Sequence, residues 1–151
     1  MTPHIAPDFL DLADCPPVAA LTTVMPDGQP QTTAVWCDFD GECLRVNTMR
    51  GFRKEKNMRL NPRVTLLCFD PHEPLRYLEI RGTVIEMTGD GALEHLDHLS
   101  ERYTGASPYF GACVSAELKA TEHPVLCRIR PTHVFGLDAR KQERRHEPAH
   151  P

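Results

Sequence analysis

The distribution of short apolar segments is the feature that most constrains the fold of this chain. Six segments have the length and the share of β-branched and aromatic residues that are typical of strands. Asp27-Gly28 and Asp40-Gly41 are turn signals between them. Gly82, inside the fifth segment, predicts a bulge or a bend. The predicted strands are residues 18–24, 31–39, 42–48, 63–69, 75–87 and 123–137.

Helical patterns occur at three places, one before the first predicted strand and two between strands. Residues 8–14 predict a short helix, residues 51–60 a second one that ends at Asn61-Pro62, and residues 91–103 a third one with leucines on one face. Residues 107–116, which show no clear period, form a candidate lid. The order of the elements therefore favours a mainly β fold, an antiparallel barrel with helical insertions.

The chain length fits a single domain, which we assign to residues 1–138. Residues 139–151 contain charged residues, histidines and prolines but no large apolar side chain. Such a segment has nothing to bury in a core, so we predict that it is a disordered tail.

Charge, cysteine usage and hydropathy narrow the class of protein. The net charge of −4 argues against nucleic-acid binding. None of the six cysteines forms a C-x-x-C pair, which favours reduced, mostly buried thiols over a disulfide framework or a zinc site. No apolar run approaches the roughly 20 residues of a membrane span, and the first residues do not resemble a signal peptide. We therefore expect a cytoplasmic protein without a membrane segment.

A basic window between Arg50 and Arg63 contrasts with the acidic remainder of the chain. It holds six basic residues and one acid, Glu55. Arg53 and Lys54 fall in the first turn of the predicted second helix, where free backbone N–H groups favour an anion. A bound phosphate would offset the unfavourable position of two cations at that end of the helix dipole. On charge and position alone, a solvated basic helix face is the favoured explanation of the window.

Residues 46–64 resemble the phosphate-binding segment of the pyridoxamine 5'-phosphate oxidase-like, FMN-binding split-barrel superfamily. That pattern is a strand, a threonine, Gly-x-Arg-Lys, a helix and then Asn-Pro-Arg-Val; here it is Thr48, Gly51-Phe52-Arg53-Lys54 and residues 61–64. The resemblance extends over about residues 8–138. Residues 70–82 and 101–105 are similar to the branch of the superfamily that uses the deazaflavin coenzyme F420.

The resemblance implies a six-stranded split barrel that forms a homodimer, with two cofactors in grooves at the subunit interface. Arg53 and Lys54 would bind the cofactor phosphate with support from Thr48, and the other positions would line or face the ring. Tyr77 departs from the glutamine expected for FMN. The implied cofactor-binding positions are Trp36, Val46, Asn47, Thr48, Arg53, Lys54, Asn57 and Tyr77.

The activity implied by this branch is hydride transfer from reduced F420 to an electron-poor double bond of a small molecule. Two alternatives stay open: an FMN-binding oxidoreductase, and a non-enzymatic protein that holds a flavin, a deazaflavin or haem. A haem protein would need a histidine ligand in the groove, and the candidates for it are His72 and His133. No side chain is assigned as catalytic.

A metal site is not expected. His95 and His98 lie three residues apart on the predicted third helix, but no third ligand is evident. We therefore predict that both are exposed surface histidines.

Overall fold

The computed structural model describes residues 3–141, so residues 142–151, most of the predicted tail, lie outside the described residues. The strands form one antiparallel sheet in the order β2-β1-β5-β6-β7-β4-β3. They are β1 (Val18–Val24), β2 (Pro30–Val35), β3 (Cys37–Phe39), β4 (Leu44–Met49), β5 (Arg63–Phe69), β6 (Arg76–Thr88) and β7 (Pro124–Asp138). The mainly β architecture predicted from the sequence is therefore confirmed.

The predicted strand 31–39 is in fact two strands, which makes seven rather than six. Only Trp36 separates β2 from β3, yet these strands form the two opposite edges of the sheet. Because one residue spans at most about 3.6 Å, the two edges must lie side by side. The sheet is consequently curled into a barrel that is split between β2 and β3.

Alternation along the strands places one set of side chains inside the barrel. In β1 and β5 every second residue is buried, and the buried sets of neighbouring strands meet in one core. Each fully buried leucine or isoleucine contributes about 1.5–3 kcal/mol through removal of apolar surface from water. The largest of these side chains are Leu12, Leu21, Leu44, Leu66, Leu78, Ile80, Leu99 and Ile129.

Gly82 lies at the bulge that the sequence predicts. The pairing of β6 with β7 shifts between Arg81 and Gly82, where Gly82 faces Pro131. A Cβ atom on Gly82 would lie 2.6 Å from Ile129 Cγ2 and 2.8 Å from the Arg130 carbonyl oxygen. Glycine is required here because β7 approaches the backbone too closely for any side chain.

In the described part of the chain, four helices flank the sheet, and the first is shorter than predicted. They are α1 (Leu10–Ala13), α2 (Arg53–Leu60), α3 (Ala92–Thr104) and the short, kinked α4 (Tyr109–Ala112), followed by a 3-10 turn, Ala116–Ala120. Within residues 3–141, no helix has the length and apolar composition needed to cross a membrane.

All six cysteines are free thiols, as predicted. Cys37, Cys43, Cys68 and Cys127 are buried, whereas Cys113 is exposed.

Candidate functional site

A cavity of about 390 Å³ lies over the split of the barrel. Its walls come from both sides of the split, with β1 and β2 on one side and β4 on the other, and from the start of α2 and one face of α3. Four of the eight predicted site residues line it: Trp36, Asn47, Thr48 and Lys54. The remaining lining residues are Pro17, Val18, Ala19, Ala34, Val35, Met49, Phe52, Leu96, Leu99, Tyr109 and Glu122.

Lys54 brings a positive charge to the wall of this cavity. No side chain caps the N-terminus of α2, so its first N–H groups remain available to an anion. Burial lowers the pKa of Lys54, and this ammonium group has no ion pair with any carboxylate of the described residues. A half-buried cation without a counter-ion is unfavourable, and a bound anion would offset that cost.

Glu55, the one acid of the basic window, does not compete for Lys54. Its carboxylate is buried, accepts a hydrogen bond from the Gly51 backbone N–H at 3.3 Å and forms an ion pair with Arg59 one turn later. Lys54 is the cation of the basic window that lines the cavity.

Two polar side chains of the cavity wall each have a buried atom without a partner. Thr48 Oγ1 and Asn47 Oδ1 make no hydrogen bond to any group within residues 3–141. A buried polar atom left unpaired costs about 1–3 kcal/mol, so such atoms call for an explanation. Polar atoms of this kind in the wall of a cavity are suited to meet a polar ligand.

Trp36 forms the floor of the split and is fixed by two tyrosines. Its ring stacks on Tyr103 with centroids 5.5 Å apart and meets Tyr109 edge-on at 6.0 Å. The Tyr103 hydroxyl donates to the Pro16 carbonyl at 2.8 Å and accepts from the Cys37 backbone N–H at 3.3 Å. A rigid indole at the cavity wall offers a flat apolar surface to a ring.

The other four predicted site residues are not part of the cavity wall. Val46 is buried in the barrel core, and Arg53 is exposed at the first position of α2. Asn57 is fully buried on the inner face of α2, and its Nδ2 donates to Thr23 Oγ1 at 3.0 Å. Tyr77 packs against Phe135, which lies on the neighbouring strand β7. Their roles as cofactor contacts stay predictions.

The prediction of an exposed His95 was wrong, whereas His98 is exposed. His95 is only 6% exposed because the apolar face of α3, with Ala92, Leu96 and Leu99, packs on the barrel. Its Nε2 lies 3.0 Å from Asp38 Oδ1, and its Nδ1 lies 3.1 Å from Asn47 Nδ2. No group of metal-ligating side chains occurs among the described residues.

Sequence reasoning also missed much of the apolar cavity wall. Leu96 and Leu99 belong to the leucine face predicted for the third helix; both are buried, and both line the cavity. Tyr109 lies in the segment proposed as a lid, and its position against Trp36 depends on a long-range contact. The helical spacing of Ala92, Leu96 and Leu99 could have placed His95 on the buried face.

The chain matches a family model over most of its length. Residues 5–138 match the pyridoxamine 5'-phosphate oxidase model. This chain belongs to that family. The family assignment agrees with the resemblance that residues 46–64 carry.

Solved structures extend the comparison. An F420 reductase is 32% identical, with 88% of this chain and 98% of the reductase covered at a TM-score of 0.72. A conserved hypothetical protein from Mycobacterium tuberculosis is 26% identical. The match covers 99% of this chain and 94% of that protein at a TM-score of 0.72. The haem storage protein HutZ from Vibrio cholerae, 16% identical with 89% and 96% covered, has a TM-score of 0.62 and shares the fold alone. No match was found among curated proteins.

The residues of the cavity fit a flat, phosphorylated cofactor. An unpaired cation and an open helix N-terminus suit a phosphate, and the orphaned Thr48 hydroxyl adds a hydrogen-bonding group. The indole and the aliphatic side chains of the wall suit an aromatic ring system.

Proposed function

We propose that this protein is an F420-dependent oxidoreductase, which transfers a hydride from the reduced deazaflavin to an electron-poor double bond of a small molecule. The half-buried Lys54, without a counter-ion at a cavity walled by apolar side chains, is the observation that carries the proposal. The 32% identity to an F420 reductase supports this choice of cofactor over FMN.

Lys54 and Thr48 would hold the cofactor phosphate, with Arg53 close by at the start of α2. The Lys54 ammonium supplies a point charge, and the free N–H groups of the first turn can donate to phosphate oxygens. Arg53, exposed in the single subunit, can swing toward a phosphate that is already bound.

Trp36 and the aliphatic wall would orient the ring. The hydride chemistry belongs to the reduced cofactor, and the protein supplies position and polarity. Trp36 is held by Tyr103 and Tyr109 and therefore offers a fixed stacking surface. Ala19, Val35 and Leu96 add aliphatic side chains to the same cavity wall.

We further propose a cytoplasmic homodimer in which the second subunit completes each cofactor groove. Free thiols throughout the chain agree with a reducing compartment. The barrel split leaves the cavity open on one side, where a second chain can cover the ring. Both subunits would then contact the small-molecule substrate, and either subunit could supply the proton donor.

Titrations of the protein with F420 and with FMN test which cofactor it binds. The signal is the quenching of Trp36 fluorescence by the bound cofactor. We expect micromolar or tighter binding of F420, and oxidation of reduced F420 when a conjugated enone is added. Quenching by FMN alone would assign the protein to the flavin-binding alternative. Absence of binding by both would leave the basic window a solvated helix face.

Lys54→Ala tests the phosphate site. Loss of one charge-assisted contact is expected to weaken F420 binding by about 2 kcal/mol, or roughly thirtyfold, and Arg53→Ala with Lys54→Ala by more. Lys56→Ala is the matched control, because Lys56 is an exposed lysine of the same helix outside the cavity wall. Equal effects of Lys54→Ala and Lys56→Ala would show that the phosphate binds elsewhere.

A further inference from the structure

The side-chain amide of Asn47 is held in one orientation by two acceptors. Asn47 Nδ2 lies 2.8 Å from the Ala92 carbonyl oxygen and 3.1 Å from His95 Nδ1. A carbonyl oxygen can only accept, so the atom that faces Ala92 must be the amide nitrogen. The carbonyl end of the amide therefore has to point away from α3.

The same contact fixes the protonation of His95. Both amide hydrogens of Asn47 are needed as donors, one to Ala92 and the other to His95 Nδ1, so Nδ1 must be an unprotonated acceptor. The single imidazole hydrogen is then on Nε2, which donates to Asp38 Oδ1 at 3.0 Å. Asp38 is only 1% exposed, and its carboxylate fixes this tautomer by accepting the Nε2 hydrogen.

Arg45, not His95, balances the charge of Asp38. Its guanidinium donates to both carboxylate oxygens, with Nε 2.9 Å from Oδ1 and a terminal nitrogen 2.6 Å from Oδ2. A carboxylate neutralised in this way does not need a protonated imidazole beside it. The contact of His95 with Asp38 can therefore be made through the Nε2 hydrogen, which leaves Nδ1 as the acceptor for Asn47.

Asn47 Oδ1 is the one atom of this chain of contacts that has no partner within residues 3–141. The amide is anchored on three sides, by Ala92, His95 and its own strand β4, and it belongs to the cavity wall. An anchored amide with an orphaned oxygen next to a cavity is suited to accept a hydrogen bond from a ligand.

We infer that Asn47 accepts, through Oδ1, a hydrogen bond from a ring N–H of the bound cofactor, and that His95 and Asp38 are positioning residues that hold the amide in this orientation. The inference rests on the proposed function, because the donor belongs to the cofactor ring. Deazaflavin and flavin rings both carry an imide N–H between two carbonyl groups. A metallated porphyrin has no N–H, so this contact would select against haem.

Nitrogen NMR of isotope-labelled histidine in the cofactor-free protein tests the arrangement. We expect His95 to carry its hydrogen on Nε2 and none on Nδ1 near neutral pH. His95→Phe assigns the signal, and Asp38→Asn is expected to weaken the preference for this tautomer. A hydrogen on Nδ1 in the wild-type protein would overturn the inference whatever the protein binds.

Binding of F420 and of its derivative methylated at the imide nitrogen tests the ligand contact. The wild-type protein is expected to prefer F420 by about tenfold, the value of one hydrogen bond. Asn47→Ala, which removes the acceptor and makes room for the methyl group, should abolish the preference. His95→Phe should reduce it by about threefold, because Ala92 alone then holds the amide.

His98→Phe is the matched control, since His98 Nε2 lies 4.0 Å from Asp38 Oδ2 while the side chain is 54% exposed. It should leave the preference unchanged. A preference that survives Asn47→Ala, or that His95→Phe and His98→Phe lower equally, overturns this inference and leaves the proposed function intact. Failure of the wild-type protein to bind F420 overturns the proposed function and this inference with it.

Discussion

Asp38 keeps its charge although it is buried in the sheet. Burial raises the pKa of this carboxyl, but hydrogen bonds from His95 and Arg45 outweigh that effect, and its pKa lies below the ordinary value. Arg45 is partly exposed, so the pair is desolvated on the carboxylate side only. The carboxylate therefore stabilises the folded protein as long as it is ionised.

Asp38→Asn is expected to lower the free energy of unfolding by about 2–4 kcal/mol at pH 7, because Arg45 and His95 lose a charged acceptor. Because the folded-state pKa is lowered, this stabilisation is complete above the ordinary aspartate pKa of about 4 and is lost as the pH falls through the folded-state value. Urea denaturation at pH 7, 5 and 3 would measure the difference. A difference that stays constant into the acid range would contradict the assignment.

At the scale of elements, two irregularities in the pairing of β6 with β7 contribute to the curl of the sheet. These two strands are the longest of the sheet, and their pairing shifts twice, at Gly82 and again between Val84 and Glu86. Each shift adds local twist and bends the pair. The bend helps to bring the two outer edges of the sheet together over the cavity.

Gly82→Ala is expected to destabilise the protein by about 1–3 kcal/mol, because the added methyl group meets Ile129 and the Arg130 backbone. Gly89→Ala is the control: a Cβ at Gly89 has no heavy atom within 4 Å, and the change should stay within about 0.5 kcal/mol. Thermal unfolding of the two variants checks this. Equal stabilities would mean that β7 moves aside without cost.

Local patterns predicted the strands, the second helix and the bulge, because these depend on residues close in the sequence. The break at Trp36 could not be predicted, since the apolar pattern of residues 31–39 continues through it. The pairing of Asp38 with His95 joins residues that are 57 positions apart. Most of the cavity wall has the same origin, because α3 and Tyr109 reach it only through the tertiary fold.

At the scale of the whole molecule, the outer face of the sheet carries an apolar residue that a single subunit leaves uncovered. Leu67 is 38% exposed on β5, which lies between β1 and β6. Its direct neighbours across the sheet are Ala20 and Glu79. We predict that the second subunit of the proposed homodimer covers this face of β5, and a charge at Leu67 tests that placement.

Leu67→Arg is expected to shift the protein toward monomers, because the arginine charge would be buried at the interface without an opposite charge beside it. Light scattering after size exclusion measures the shift, and weaker F420 binding should accompany it. Leu60→Arg, on the 74% exposed Leu60 of α2, serves as the control and should remain dimeric. A wild-type protein that is monomeric would contradict the proposed assembly.

The closure of the barrel depends on the length of the connection between β2 and β3, which is the single residue Trp36. No hydrogen-bond ladder joins β2 to β3, so the proximity of the two edges is enforced by the covalent link. A few flexible residues inserted after Trp36 would leave every strand paired while releasing the edges from each other. The cavity, whose walls stand on both edges, would then widen without the loss of any of its side chains.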